Sequence, residues 1–324
     1  MTQFISIFVS TISISIVFLF GCIGEIVMEK GGHLNLGVPG VMCLGTLGGS
    51  FGASLVMSMY TSNPDSANYF LLILGVLLGA IIFSLLGGFI YAILTVTLKC
   101  NQNVTGLALT TFGAGMVDFF MNKIDKTYLS NASDIIKTPL PFAKNLGVFG
   151  ELVLNYGLFT YLAIIIAIIA AIVLNHTRVG LSLRAVGENP ATADAVGINV
   201  SKYKYGAILI GSVISGLGGM YYLLAYGRGT WENSSTVQVF GWLAIALVIF
   251  TVWKPGFAIL GSIIFGFLFI LPNIVSGIDF VSMKLLNMVA YVVTVLVLII
   301  TSIIGKKSVQ PPSGLGQSYF REDR

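Results

Sequence analysis

Nine stretches almost free of charge, most of them about as long as a bilayer is thick, dominate this sequence. They run over approximately 4–24, 34–60, 69–98, 103–121, 156–175, 205–226, 239–253, 257–271 and 288–304. About 20 apolar residues cross the ~30 Å hydrocarbon core as a helix. Such a series leaves little chain for anything else in 324 residues. Composition agrees: 56% of residues are hydrophobic and 9% charged, with a mean hydropathy of +0.93. Soluble domains carry about 25% charged residues, so a soluble enzyme or binding domain is excluded. The expected fold is all-α, a polytopic transmembrane helical bundle of about nine spans (eight to ten). One membrane domain, 1–304, is followed by a hydrophilic tail, 305–324.

The run from Phe4 to Gly24 has no Lys or Arg before Lys30. It exceeds a typical signal-peptide core and reads as a retained first span. The stretch 69–98 is about 45 Å long as a helix, so it must tilt, kink near Gly87–Gly88 or extend beyond the bilayer. The stretch 239–253 is short and ends at Trp253-Lys254-Pro255-Gly256, a turn signal.

Orientation follows from the basic residues. With the N-terminus outside, eleven Lys and Arg fall on the inner side and six on the outer, Lys123, Lys126, Lys137, Lys144, Arg228 and Lys284. This places the tail in the cytoplasm and the protein in the cell membrane. The net charge of +4 fits that loop set and gives no reason to invoke nucleic acid. Cys22, Cys43 and Cys100 are odd in number and scattered, and read as small packing residues. His33 and His176 are too isolated for a metal site, and no cofactor is expected.

Glycines recur at helical spacing: Gly45/Gly49, Gly48/Gly52, Gly75/Gly79 and the series Gly211, Ser215, Gly219. Small residues four apart let helices approach closely where packing drives association. The outer connection 122–155 reads as an exposed docking or capping surface.

The inner connection, 176–204, is the most patterned segment. Asn189 is a good N-cap, Pro190 suits the first helical position, and Gly197 can end the helix in a left-handed conformation. A short helix of about two turns is predicted, too short to span a membrane. Leu183, Val186, Val196 and Ile198 give it an apolar side, and Arg184, Glu188 and Asp194 give it charges.

LSLRAVGENPATADAVGINVSKYKY resembles the cytoplasmic coupling motif of the permease subunits of ATP-binding-cassette importers serving simple sugars, branched-chain amino acids and nucleosides. Three further segments match that branch in order: GEIVMEKGGHLNLGVPGVM (24–42), KCNQNVTGLALTTFGAG (99–115) and FGWLAIALVIFTVWKPGFAILGSIIFGF (240–267). The resemblance is nearest to nucleoside permeases that work with a lipoprotein receptor. Pro39 stands where the family pattern has an acidic residue. The resemblance implies a non-catalytic transport subunit that lines the path of a small polar solute. A nucleoside is favoured over a simple sugar or branched-chain amino acid. It further implies a separate cytoplasmic ATPase, a second permease subunit (a heterologous paralogue) and an extracellular substrate-binding lipoprotein. Coupling to the ATPase would fall to Arg184, Gly187, Glu188, Asn189, Pro190, Asp194 and Gly197. Consistent with that division, the sequence has no phosphate-binding G-x-x-x-x-G-K-[ST] loop.

Amides donate and accept, so they can read a polar solute. Asn35, Asn101, Gln102, Asn103 and Thr105 are the candidates for the substrate path; the competing reading is helix capping. Phe112, Trp231 and Trp242 suit the membrane interface better than base stacking. Asp118 lies near an outer helix end, where solvent accounts for it. Few charges fall inside the spans, which argues against a secondary, proton-driven carrier.

Overall fold

The computed structural model describes residues 2–139, 147–274, 279–304 and 310–320. Its helices are α1 (Thr2–Lys30), α2 (Val38–Met57), α3 (Tyr69–Ala92), α4 (Gln102–Met121), α5 (Lys126–Ile136), α6 (Gly147–Val153), α7 (Leu158–His176), α8 (Arg178–Glu188), α9 (Pro190–Ala195), α10 (Val200–Tyr221), α11 (Ser234–Phe250), α12 (Pro255–Ile274), α13 (Phe280–Asn287) and α14 (Val289–Ile304). Among the described residues, eight helical segments are long and apolar enough to cross a membrane. Helix α11, at 17 residues, is about 25 Å long and is the short ninth.

Three contacts show that α11 crosses too. Gly316 donates its amide to the carbonyl of Gly32 at 3.2 Å, so both residues lie on one face of the bundle. A chain returns to its starting face after an even number of crossings. Among the described residues seven long apolar segments intervene, and α11 supplies the eighth. The ends of α11 agree. Ser234, at its start, donates to Asp118 near the far end of α4, whereas Trp253, just past its end, donates to Glu29 near the end of α1.

Helices α1, α2 and α10 form the centre; α3, α4, α7, α11 and α12 surround them, and α14 packs outside on α11 and α12. Lipid tails offer no hydrophobic penalty to escape, so close packing must hold the bundle together. The glycine pairs provide it. A Cβ on Gly48 would lie 2.2 Å from the carbonyl oxygen of Gly79, and one on Gly52 would lie 2.1 Å from that of Gly75. The other face of α2 meets α10, where a Cβ on Gly45 would lie 2.0 Å from the Gly216 oxygen. Bulk fills the space where helices stand further apart. Phe18 meets Phe240, Phe265 and Phe269 edge-on, with ring centroids 5.5, 6.4 and 5.7 Å away.

The long stretch 69–98 is helical through Gly87–Gly88 and departs from α geometry further on, at a π-helical turn, Ile93–Thr97. A matching turn, Tyr222–Tyr226, ends α10. In the connection 122–155, α5 buries Leu129, Ala132 and Ile136, so part of that surface packs against the bundle.

Candidate functional site

The motif-bearing segments converge at the face that holds the end of α1. Helix α1 stops at Gly32, whose φ of +85° lets the amides of Gly32 and His33 turn back to the carbonyls of Glu29 and Met28. That arrangement is a glycine-terminated helix cap. Residues 33–37 then run as a clamped turn. Tyr91 donates to the Leu34 carbonyl at 2.9 Å, and Leu34 donates its amide to the Gln102 side chain at 2.9 Å. Thr110 reaches the Leu36 carbonyl. Asn35 gives its amide to Glu25 at 3.1 Å and accepts from the Gly37 amide at 2.8 Å. The first and second matching segments are thereby joined.

The fourth joins through Trp253, whose indole N–H donates to the Glu29 carboxylate. Val252 and Trp253 both have positive φ, 55° and 54°, an uncommon conformation for residues with a Cβ. This turn aims the indole back into the bundle. Pro39, the departure from the family pattern, packs on Gly241, where an added Cβ would lie 2.5 Å from the proline Cα.

Two carboxylates are fully or almost fully buried here, Glu25 and Glu29. In the sequence they merely follow the apolar run 4–24, and the expectation that the spans hold few charges is corrected by their burial. Spaced four apart, they share one face of α1 and turn inward toward the clamped turn and Trp253. His33 is buried as well, not an exposed loop residue. Its ring stands edge-on to Tyr91, and burial, with Lys204 nearby, holds its pKa down to about 3.

The five candidate path residues divide. Asn101 caps α4 by accepting from the Val104 amide, and Thr105 bonds back to the Asn101 carbonyl. Gln102 and Asn35 are buried ties between segments. Asn103 is exposed on α4. Asp118 is half-buried and caps α11 through Ser234, a role beyond simple solvation.

The short helix of the inner connection forms as its residues predict. Asn189 accepts from the Thr192 amide at 3.0 Å, Pro190 is the first residue of α9, and Gly197 has φ +84°. The preceding α8, capped by Thr177, is an addition. Its Gly187 lies so close to α1 that a Cβ would stand 2.3 Å from the Lys30 carbonyl oxygen. Glu188, Asn189 and Gly197 are exposed, whereas Arg184 and Asp194 are half-buried.

One set of contacts was not foreseen. Residues 310–320 lie across this loop: Ser313 donates its amide and hydroxyl to Glu188 at 3.2 and 2.9 Å, and Tyr319 donates to Asp194 at 2.8 Å. The turn-forming run Pro311-Pro312-Ser313-Gly314 was the available signal, but nothing in it names a partner. Among the described residues no group of three or more His, Cys, Asp and Glu is placed to hold a metal.

Residues 7–302 match the family described as branched-chain amino acid transport system, permease component. The chain belongs to that permease family. It is 32% identical over 287 residues to the nucleoside ABC transporter permease protein NupC of Lactococcus lactis, covering 86% of this chain and 87% of that one. It is 30% identical to the putative glucose ABC transporter permease protein TsgC13 of Haloferax volcanii, over 80% and 74% of the two chains. It is 28% identical to the guanosine ABC transporter permease protein NupQ of Bacillus subtilis, over 99% of both. No solved structure matches. As a member of this family the protein is a multi-pass membrane transport subunit, not an enzyme. Its converging motifs are therefore parts of a permease.

Proposed function

We propose that this permease forms part of the path by which an ATP-binding-cassette importer brings a nucleoside into the cell. The carrying observation is the loop of α8 and α9, two short helices that stand outside the spans yet touch the end of α1 through Gly187. A cytoplasmic ATPase pushing on α9 would move α1 directly. That orientation puts the loop and residues 310–320 in the cytoplasm and the N-terminus outside, in keeping with the distribution of Lys and Arg. The nucleoside assignment is supported by the substrates named for two relatives.

A second permease subunit, a paralogue of this one, would complete the path, and a lipoprotein outside would deliver the solute. Asn101 and Asn103 are the path candidates with exposed side chains, and of the two Asn101 also caps α4. Asn35, Asn101, Gln102 and Thr105 would shape the path by fixing its inner turn. One oxygen of the buried Glu25 accepts from a backbone amide and the buried Glu29 accepts from an indole, bonds that tie α1 to its neighbours.

Co-purification tests the reading. The intact protein should carry an ATPase subunit with it, and deletion of 188–197 should release that subunit. Gradient-driven uptake by the purified chain alone would sink the importer assignment and favour a secondary carrier. Binding of nucleosides, sugars and branched-chain amino acids to the cognate receptor would decide the substrate.

A further inference from the structure

Three backbones meet where the proposed coupling loop touches the bundle. Gly32 ends the first span, Gly187 lies near the end of α8, and Gly314 lies on the segment 310–320. Gly314 donates its amide to the Gly187 carbonyl at 2.9 Å, and Gly316 donates to the Gly32 carbonyl at 3.2 Å. There is no room for side chains at this junction. A Cβ on Gly187 would stand 3.1 Å from the Gly32 amide nitrogen, and one on Gly314 would stand 2.8 Å from the Gly187 oxygen. Gly316 has φ +78°, a conformation glycine adopts without steric cost.

The same eleven residues reach both ways from the junction. Toward the loop, Ser313 holds Glu188 and Tyr319 holds Asp194, while the Tyr319 ring packs on the cluster of Val186, Ala193 and Val200. Toward the spans, Gln102 at the start of α4 donates to the Gln317 carbonyl at 3.4 Å, and the Lys99 ammonium sits 4.2 Å above the Phe320 ring. Gln102 also accepts from Leu34, so the segment connects to the clamped turn after α1. Glu188 and Asp194, two of the charges expected to meet an ATPase, are thus occupied by the chain's own residues.

We propose that residues 310–320 are a transmission strap, which fixes the coupling loop to the ends of α1 and α4 so that the three move together. The proposal rests on the importer reading above. Packing holds α8, through Gly187 on α1 and through Gly180, where a Cβ would stand 2.1 Å from the Val173 carbonyl oxygen of α7. The strap's bonds at Glu188 and Asp194, carried to Gly32 and Gln102, extend that hold to α9. Ser313, Gly314 and Tyr319 are positioning residues here and need touch neither ATP nor solute.

The test uses the full importer complex reconstituted in lipid vesicles, comparing wild type with Gly314→Val and with Tyr319→Phe. Three quantities are read: ATPase subunit retained, ATP hydrolysed, and solute transported per ATP. Gly314→Val should keep the ATPase subunit and its hydrolysis but lower solute per ATP about fivefold, the scale on which residues along a coupling network act. Tyr319→Phe keeps the ring in its apolar seat and should give a smaller loss in the same ratio, which guards against simple misfolding. Unchanged solute per ATP in both variants overturns the strap. Release of the ATPase subunit by either variant also overturns it, because the segment would then be a docking surface. If the wild-type chain binds no ATPase, the importer reading itself fails, and that result is separate from both.

Discussion

Trp253 donates its indole N–H to the buried carboxylate of Glu29, tying the turn after α11 to the last turn of α1. The two residues are 224 positions apart in sequence. Both backbone ends of this bond are fixed, one by a regular helix and the other by two successive residues in left-handed conformation. The carboxylate is therefore held against the indole in a buried site, where losing that donor is costly.

Trp253→Phe should destabilise the protein by about 3 kcal/mol, because a buried carboxylate loses its hydrogen bond. Adding Glu29→Leu should recover much of that loss, since removing both partners leaves no polar group unsatisfied. Thermal unfolding of the two variants in detergent checks the order. Equal stability of single and double variants would contradict it.

The α2–α3 contact gives a second prediction. Gly52→Val inserts atoms where even a Cβ would stand 2.1 Å from a carbonyl oxygen of α3. Backbone, not a flexible side chain, is in the way, so the helices must separate. The expected loss is about 3 kcal/mol, at the upper end for overpacking. Gly115→Ala on α4 has nothing within 4 Å of the new Cβ, and should leave the midpoint of thermal unfolding unchanged.

His33 makes stability depend on pH. Its pKa is held down to about 3 when folded, against about 6.5 when unfolded. The unfolded chain therefore binds the proton first, and stability falls as pH drops below about 6.5. Going from pH 7 to pH 5 should cost about 2 kcal/mol from this group, the loss continuing toward pH 3. Unfolding curves for wild type and His33→Gln across that range should differ in slope, the variant being the flatter.

The cap of α9 can be tested without touching the bundle. Asn189→Ala removes the acceptor for the Thr192 amide and should cost about 1 kcal/mol locally. Faster hydrogen exchange at residues 191–195, with unchanged exchange in α1 and α2, is the expected signature. Uniform loss of protection would instead mark α9 as part of the global folding unit.

The residues alone determined a good deal of this protein. Runs of apolar residues set the spans, glycines four apart marked the faces that pack, and Asn189, Pro190 and Gly197 bounded α9 to within a residue. Each of those signals acts over one or two helical turns, so it can be read along the chain. Tertiary structure decided what depends on distant segments meeting. Glu25 and Glu29 look like flanking charges until α1 is rotated so that they face Asn35 and Trp253. The 17-residue α11 is shown to cross by its end contacts and by where Gly316 lands, not by its length. Residues 310–320 carry only turn signals, and their partners Gly32, Gln102, Gly187, Glu188 and Asp194 lie more than a hundred residues upstream. Hydrogen bonds made after the chain has closed on itself leave no periodic trace in the sequence, so only the folded arrangement brings them together.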